Sequence, residues 1–282
     1  MKIGEAIERS RRELPSAGED AGREARLLVG EAVGRSVSWV LAHPEASLTT
    51  MQEAWLDRAV DRCRKGEALP YVLGWWDFYG RRFTVDPFVL IPRPETESLV
   101  DKVLAYLRGS PARRNVVDVG TGSGCVAVTL AAEVPGCRVL AIDISRPALR
   151  VAQANARAHN VADRIRFLQS DLLTAAIGGW DAIVANLPYI PSGRLPGLEA
   201  ARSEPHQALD GGVDGLAVLR RLVMALPSAL RPGGCAVLEI DEGQGDELAR
   251  CVTEVIPQAD VQVELDLAGR ERFLTVVTQD PR

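Results

Sequence analysis

The sequence has few of the residues on which metal centres, disulfide frameworks and membrane spans depend. Its 282 residues include only three histidines and five cysteines, and no two cysteines form a C-x-x-C pair. An odd, scattered set of cysteines argues against a disulfide framework or a zinc site and favours reduced thiols. No stretch approaches the ~20 apolar residues of a membrane span, and the amino terminus lacks the apolar core of a signal peptide. We therefore expect a soluble, cytoplasmic protein without a metal.

Positive charge is also scarce. Lys and Arg together number 33 against 38 Asp and Glu, which gives a formal net charge of −5. No overall basic field draws the chain to nucleic acid or to an anionic membrane. We expect direct binding to neither, although a local basic patch stays open.

Residues 1–69 are predicted to form a small helical domain. Apolar residues recur at helical spacing in three stretches. The second stretch ends at Gly34, and the third, "SLTTMQEAWLDRAVDRCRKG", has Ser47 as its candidate cap and Gly66 at its end. None of the three carries a catalytic constellation.

Residues 70–93 are rich in aromatic side chains, which a flexible linker would lack. Half of the aromatic residues of the chain lie here: Tyr71, Trp75, Trp76, Phe78, Tyr79, Phe83 and Phe88. We predict a packed β-hairpin linker that turns at Tyr79-Gly80-Arg81. The two tryptophans are expected in its core and not on a nucleic-acid stacking platform, because no basic stripe accompanies them.

Residues 94–282 alternate short apolar runs with helical patterns, which predicts a mostly parallel sheet covered by helices on both faces. The predicted helices lie at about 123–134, 146–160, 215–230 and 243–256. The seven predicted strands are "NVVDV", "RVLAID", "RIRFLQ", "DAIVAN", "CAVLEI", "VQVELD" and "RFLTVVT". Only "LAGRE" separates the last two, so no crossover helix fits and they should pair antiparallel.

A glycine-rich loop follows the first of these strands. Glycines at such a loop allow a tight turn and close approach of a ligand across the strand's carboxyl end. The next strand ends at Asp143, roughly 20 residues on, where a carboxylate can accept hydrogen bonds from both ribose hydroxyls. This pairing favours nucleoside binding over a purely structural turn. The loop consists of Gly120, Thr121, Gly122, Ser123 and Gly124.

The loop spacing is G-x-G-x-G, so the G-x-G-x-x-G dinucleotide fingerprint is not met. Together with the closing antiparallel hairpin, it resembles the seven-stranded, Rossmann-like methyltransferases that use S-adenosyl-L-methionine. The resemblance implies that Asp171 accepts the adenine amine and that Leu172 packs beside the ring. A simple loop cap explains Asp171 equally well when that residue is considered alone.

The fourth strand ends in "DAIVANLPYIP", Asp181 to Pro191. Asn-Leu-Pro-Tyr resembles the Asn-Pro-Pro-Tyr motif of methyltransferases that modify a planar NH₂ group. The Asn186 side-chain oxygen and the Leu187 carbonyl would hold the two hydrogens, Pro188 would stiffen the turn, and Tyr189 would stack on the amide. We predict catalytic roles for Asn186 and Tyr189, with Asn186 also beside the cofactor. Leu187 replaces the motif's first proline, but its carbonyl is retained.

Four further segments resemble the protein-glutamine methyltransferases that act on bacterial peptide chain release factors. They are "FVLIPRPETE", "EPHQALDGGVDGL", "LRPGGCAVLEI" and "DLAGRERFL". The resemblance covers nearly the whole chain and implies methylation of the glutamine in the Gly-Gly-Gln loop of class 1 release factors. S-adenosyl-L-homocysteine would be the product, and the helical domain and hairpin would dock the protein substrate.

"PRPETE" is also a good helix start. We expect this segment to begin a helix and also to wall the methionine end of the cofactor, and we assign no separate roles to Arg93, Glu95 and Glu97. His206 lies in a proline-rich loop, and amide methylation needs no strong base, so we do not expect it to act as one.

Several alternatives stay open. Asn-Leu-Pro-Tyr also occurs in ribosomal RNA adenine dimethyltransferases, so a nucleic-acid adenine N6-methyltransferase is a rival, and a sister family methylates a glutamine of a ribosomal protein. A non-catalytic binding module is a third reading, if Leu187 spoils the clamp. A dehydrogenase is the weakest.

Overall fold

The structure is a computed structural model that describes residues 1–110, 112–176, 178–266 and 268–280. The chain divides into two compact units, Met1–Trp75 and Trp76–Arg282. Among the described residues, no helix has both the length and the apolar character needed to span a bilayer.

The first unit is helical, as the periodicity predicts. Gly34 ends the second helix in the left-handed conformation (φ 67°), which glycine adopts without strain. Two short helices that the sequence did not indicate, the third and the fifth, lie between and after the predicted ones. The helices are α1 (Ile3–Glu13), α2 (Gly18–Val33), α3 (Val37–Ala42), α4 (Thr50–Arg64) and α5 (Leu69–Leu73).

The predicted cap of α4 is wrong by two residues. Thr49, and not Ser47, is the N-cap: its hydroxyl accepts a hydrogen bond from the Gln52 amide, and the Gln52 side chain accepts one from the Thr49 amide. This reciprocal pair satisfies two helix-end donors at once. Ser47 instead forms an isolated antiparallel bridge with Lys2, so its backbone is committed to extended structure.

The predicted hairpin is present but shorter than residues 70–93. Its strands are β1 (Trp75–Phe78) and β2 (Arg81–Thr84). Tyr79 and Gly80 form the turn with φ of 52° and 67°, the two positive values of a type I′ turn. Residues 69–73 are helical and residues 85–93 have no regular structure, so the prediction is wrong for both flanks.

The second unit contains the predicted seven-stranded α/β sheet, in the order β5-β4-β3-β6-β7-β9-β8. Strand β9 is antiparallel to both of its neighbours, and the remaining pairs are parallel. Leu267, in the predicted loop between the last two strands, lies outside the described residues. The strands are β3 (Asn115–Val119), β4 (Arg138–Asp143), β5 (Ile165–Gln169), β6 (Trp180–Ala185), β7 (Leu230–Glu239), β8 (Asp260–Leu265) and β9 (Glu271–Val277).

Helices cover both faces of this sheet, and successive strand residues alternate between two buried clusters. Val116 packs on one face and Val117 on the other, which is why these strands read as continuous apolar runs. The helices are α6 (Pro94–Gly109), α7 (Cys125–Glu133), α8 (Arg146–Ala158), α9 (Ala200–Ser203), α10 (Ala217–Ala229) and α11 (Gly245–Val255).

The order of the strands positions the site. Strand β3 lies in the middle of the sheet, with β4 on one side and β6 on the other. The strand order reverses between β3 and β6: the chain runs outward from β3 to β4 and β5 on one side and from β6 to β7 on the other. Ligands of open α/β sheets bind in the crevice outside the carboxyl ends of the strands at such a point.

Candidate active site

A cavity of about 440 Å³ lies at the carboxyl ends of β3, β4 and β6. It brings together most of the residues that the sequence singled out. Two of them, Gly124 and Tyr189, do not line it. The predicted residues that do line it are Gly120, Thr121, Gly122, Ser123, Asp143, Asp171, Leu172, Asn186, Leu187 and Pro188.

The three glycines of the loop all have left-handed backbone conformations. The reason why a larger residue would not fit differs from one glycine to the next. A Cβ on Gly120 would lie 2.8 Å from Leu187 Cδ2, and one on Gly124 would lie 2.9 Å from Ala152 Cβ. Gly124 therefore permits close packing of α7 on α8, whereas Gly120 permits approach of the segment after β6. At Gly122 the space is open, and the restriction is its φ of 53°.

Asp143 ends β4 and shapes the loop that it was predicted to assist. Its Oδ2 accepts a hydrogen bond from the Gly122 amide (2.9 Å), and its Oδ1 accepts one from the Ser145 amide (2.8 Å). Burial raises the pKa of this carboxyl, and the backbone donors of Ser145, Gly122 and Ile144 act against that rise. Each carboxylate oxygen has a second lone pair, so both can still accept from a ligand.

Asp118, in β3, is a buried carboxyl beside the same loop. No role was predicted for it from the sequence. Its Oδ2 accepts from Thr121 Oγ1 (2.6 Å) and from the Ala127 amide (3.2 Å), which ties β3 to the loop and to α7. Burial raises the pKa of Asp118 to about 7. An acid within an apolar strand was the available sequence signal.

Asp171 and Leu172 follow β5 at the other end of the cavity. Asp171 Oδ2 accepts from Arg221 Nη2 of α10 (2.6 Å), and both side chains are well exposed. Leu172 is buried and has a φ of 50°, which is uncommon for a residue with a side chain. Arg221 also lines the cavity; nothing in its helical sequence context distinguished it.

A chain of hydrogen-bonded side chains extends from Asn186 into the protein. Asn186 Nδ2 donates to Thr96 Oγ1 (2.9 Å), and Thr96 Oγ1 donates to Glu239 Oε2 (2.8 Å). The Tyr189 hydroxyl donates to Glu239 Oε1 (3.2 Å). Burial raises the pKa of Glu239 to about 7 and also raises that of Tyr189. The hydrogen bond with Glu239 involves only the Tyr189 hydroxyl and does not test what the ring stacks on. The predicted stacking of the Tyr189 ring on an amide therefore stays a prediction.

The backbone after Asn186 is held by the segment that contains "EPHQALDGGVDGL". Ile190 pairs with Asp210 of this segment in a parallel bridge. From outside the segment, Gln244 Nε2 donates to the Tyr189 carbonyl (2.9 Å). A Cβ on Gly215 would lie 2.2 Å from that same carbonyl oxygen. This motif therefore supports the Asn186–Tyr189 turn.

"PRPETE" begins a helix as predicted, with Arg93 as the N-cap of α6 and proline at its first position. Arg93 and Thr96 line the cavity. Arg93 forms an ion pair with Glu204, whose other oxygen accepts from the Ile91 amide (3.0 Å). The segment therefore reaches the cavity through Arg93 and Thr96, and its place at the methionine end of the cofactor stays a prediction.

Glu95 and Glu97, from the same segment, do not line the cavity. Glu97 instead accepts a hydrogen bond from the Tyr79 amide at the hairpin turn (2.7 Å). Thr96, between these two acids in sequence, is a further cavity residue that the sequence did not single out.

Two family models match this chain. "PrmC N-terminal domain" matches residues 5–74 and "Methyltransferase small domain" matches residues 96–195. A methyltransferase of known structure from Pyrococcus furiosus shares the fold at 15% identity, with a TM-score of 0.51 over 72% of this chain and 91% of that one.

Full-length relatives are far more similar. A release factor glutamine methyltransferase from Moorella thermoacetica is 42% identical over 96% of this chain and 97% of its own length. Another from Bradyrhizobium diazoefficiens is 33% identical over 99% of this chain and 97% of its own. Identity at this level over both units, together with the cavity at the glycine loop and Asn186, means that the chain belongs to the release factor glutamine methyltransferase family.

Proposed function

We propose that this chain transfers a methyl group from S-adenosyl-L-methionine to the side-chain nitrogen of the glutamine in the Gly-Gly-Gln motif of class 1 peptide chain release factors. The observation that carries the proposal is the Asn186 amide, which lies at the cavity with its NH₂ end bound to Thr96. An oxygen acceptor is thereby left to face a planar NH₂ group.

The residues present fit the cofactor. The cavity volume of about 440 Å³ lies within the roughly 300–1,000 Å³ range of small-molecule pockets. Asp143 would accept from the ribose hydroxyls, Asp171 from the adenine amine, and Leu172 would pack beside the ring. The loop Gly120–Gly124 and Arg93 would lie toward the methionine end.

When bound, S-adenosylmethionine supplies an electrophilic methyl group and leaves as S-adenosylhomocysteine. The chain's own residues have to orient a poor nucleophile, because an amide lone pair is delocalised into its carbonyl. The Asn186 oxygen and the Leu187 carbonyl would accept the two amide hydrogens and stabilise positive charge that develops on nitrogen. The methylated nitrogen then loses one proton to water; because an N-protonated amide is a strong acid, a strong base is unnecessary, and the exposed His206 (3.8 Å from Asp210) is assigned no such role.

We propose that residues 1–69 and the linker 70–93 dock the release factor and that residues 94–282 carry the chemistry. A cytoplasmic location follows from this substrate, since release factors act on ribosomes. No nucleic-acid contact is needed for the reaction.

Incubation with labelled S-adenosylmethionine and a purified release factor, followed by mass spectrometry of the glutamine-bearing peptide, tests the proposal. We expect one added methyl group on that glutamine and none on a release factor in which it is replaced by alanine. Methyl transfer to ribosomal RNA or to a ribosomal protein, with the release factor unmodified, would overturn the proposal.

The variant Asn186→Ala tests the proposed role of the Asn186 side chain in the reaction. It removes one of two acceptors, so single-turnover methylation should fall by about 10²- to 10³-fold, as for loss of one preorganised polar group in other active sites. Cofactor affinity, measured by calorimetry, should change little. Methylation near the wild-type rate would show that Asn186 does not orient the amide.

A further inference from the structure

We propose that Thr96 and Glu239 are positioning residues that decide which end of the Asn186 amide faces the cavity. This inference rests on the proposed function, because only a reaction on an NH₂ group needs the oxygen end there. Thr96 is 2% exposed and Glu239 is 1% exposed, so water does not compete for their hydrogen bonds.

The direction of the hydrogen bonds follows from counting donors. An ionised Glu239 only accepts, so Thr96 gives it the single hydroxyl proton (2.8 Å). The Thr96 oxygen can then only accept from Asn186, which must present its NH₂ end (2.9 Å). Among the described residues no hydrogen bond ends on Asn186 Oδ1, and this oxygen stays available to a ligand.

Reversal of the Asn186 amide would carry two costs. Its oxygen would face the lone pairs of Thr96, and its NH₂ group would face the NH₂ group of the substrate. A buried polar group without a partner costs about 1–3 kcal/mol. The hydrogen bonds from Asn186 to Thr96 and from Thr96 to Glu239 therefore prevent the reversed orientation of the Asn186 amide, which could not accept a hydrogen bond from a glutamine.

Ionisation of Glu239 is the condition for this arrangement. The groups that face its carboxyl are the Tyr189 hydroxyl, Thr96 and Glu95 from α6, Cys125 from α7, and Arg272 from β9. Arg272 favours the carboxylate, whereas burial and Glu95 act against it, and the pKa is raised to about 7. A neutral Glu239 can donate to Thr96, which frees the Thr96 proton for Asn186 Oδ1 and permits the reversed amide.

Three variants of the 282-residue chain and one control variant test the inference in single-turnover methylation of the release factor, with cofactor affinity and thermal unfolding measured beside it. Thr96→Val removes the hydroxyl and keeps the shape, and should lower the methylation rate by about 10- to 100-fold, less than direct loss of an acceptor. Thr96→Ser should restore the rate to within about threefold of wild type, because it restores the hydroxyl.

Thr129→Val is the matched control. Thr129 is also a buried threonine, but it does not line the cavity, and its hydroxyl donates to the Cys125 carbonyl one turn earlier in α7 (2.6 Å). It should lose stability without a change in methylation rate. An equal loss of rate in Thr96→Val and Thr129→Val would overturn the inference, since general destabilisation would then explain both.

Glu239→Gln supplies a second readout that packing does not move. The wild-type rate should fall as pH drops through about 7, because protonation removes the constraint. In Glu239→Gln, whose amide can donate to Thr96, the rate should be low and this acidic limb absent. If Glu239→Gln has the same pH profile as wild type, or if a folded Thr96→Val turns over at the wild-type rate, the inference is overturned. The proposed function would not be affected by either result.

If Thr96→Val does not fold, Glu239→Gln and Thr96→Ser decide. A wild-type protein that leaves the glutamine unmethylated overturns the proposed function, and this inference with it.

Discussion

Asp143 combines two roles at the scale of a single residue. Its two oxygens hold the Gly122 and Ser145 amides, and this organises the glycine loop before any ligand is present. Asp143 also lines the cavity, and its remaining lone pairs are available to a ligand there. A carboxylate suits both roles because it accepts several hydrogen bonds and donates none.

Asp143→Ala should therefore weaken S-adenosylmethionine binding by about 1–3 kcal/mol, the range for loss of hydrogen bonds to a charged group. Calorimetry of the purified variant measures this directly. Asp143→Asn keeps one acceptor and should give a smaller loss. Affinity equal to wild type in Asp143→Ala would mean that the ribose is held elsewhere.

At the scale of secondary-structure elements, Asn155 connects helix α8, strand β2 and the glycine loop. This residue of α8 is 1% exposed. Its Nδ2 donates to the Thr84 carbonyl of β2 (2.9 Å) and to the Ser123 carbonyl of the glycine loop (2.8 Å), and its Oδ1 accepts from the Thr84 amide (2.8 Å). The hairpin and the cofactor loop are thus connected through one amide.

Asn155→Ala should destabilise the protein by roughly 2–3 kcal/mol, because buried backbone groups on both the hairpin and the loop lose their partner. Cofactor affinity should fall as well, since the Ser123 carbonyl helps to hold the loop. Chemical unfolding and calorimetry measure the two effects.

Gln153→Ala, on the same helix and only half-buried, is the control and should change neither. Full cofactor affinity in Asn155→Ala would show that the loop keeps its shape without this tie.

For the molecule as a whole, buried acids near the sheet edge make stability depend on pH. The pKa of Asp118 is about 7 in the folded state against about 3.9 in an unfolded chain. Between these values the folded state binds more protons than the unfolded state, so the free energy of unfolding falls as pH rises and levels off above about 7. Glu239 acts in the same direction.

Asp118→Asn should remove this contribution while it keeps an oxygen acceptor for Thr121 and Ala127. The stability of the variant relative to wild type should therefore increase from pH 5 to pH 8, by on the order of 2 kcal/mol. Unfolding midpoints of both proteins across this range measure the difference. A difference independent of pH would mean that Asp118 ionises as readily in the folded protein as in the unfolded chain.

Most of the fold was predictable because it depends on local patterns. Alternation of apolar runs with helical spacing identified all seven strands of the sheet, and the short "LAGRE" connection predicted the antiparallel pairing of β8 and β9. The left-handed conformations at Gly34 and at the glycine loop were readable because few other residues adopt them. Errors arose where a second local choice was available, as between Ser47 and Thr49.

The candidate site was predictable only where its residues follow strands. Asp143 and Asn186 stand at the carboxyl ends of β4 and β6, and a parallel sheet brings such ends to one edge. The sequence alone therefore determined the sheet, the glycine loop and these two polar groups, because backbone geometry and strand direction depend on residues that are neighbours in the chain.

Only the tertiary structure decided what holds them. Thr96 lies 90 residues from Asn186 and 143 from Glu239, and Asn155 lies 71 from Thr84. A threonine in the first turn of a helix, or an asparagine on its buried face, has no local pattern that reveals such a partner. Which buried donor meets which acceptor is determined by the packing of α6 and α8 against the sheet, since each hydrogen bond exists only when both distant segments are in place.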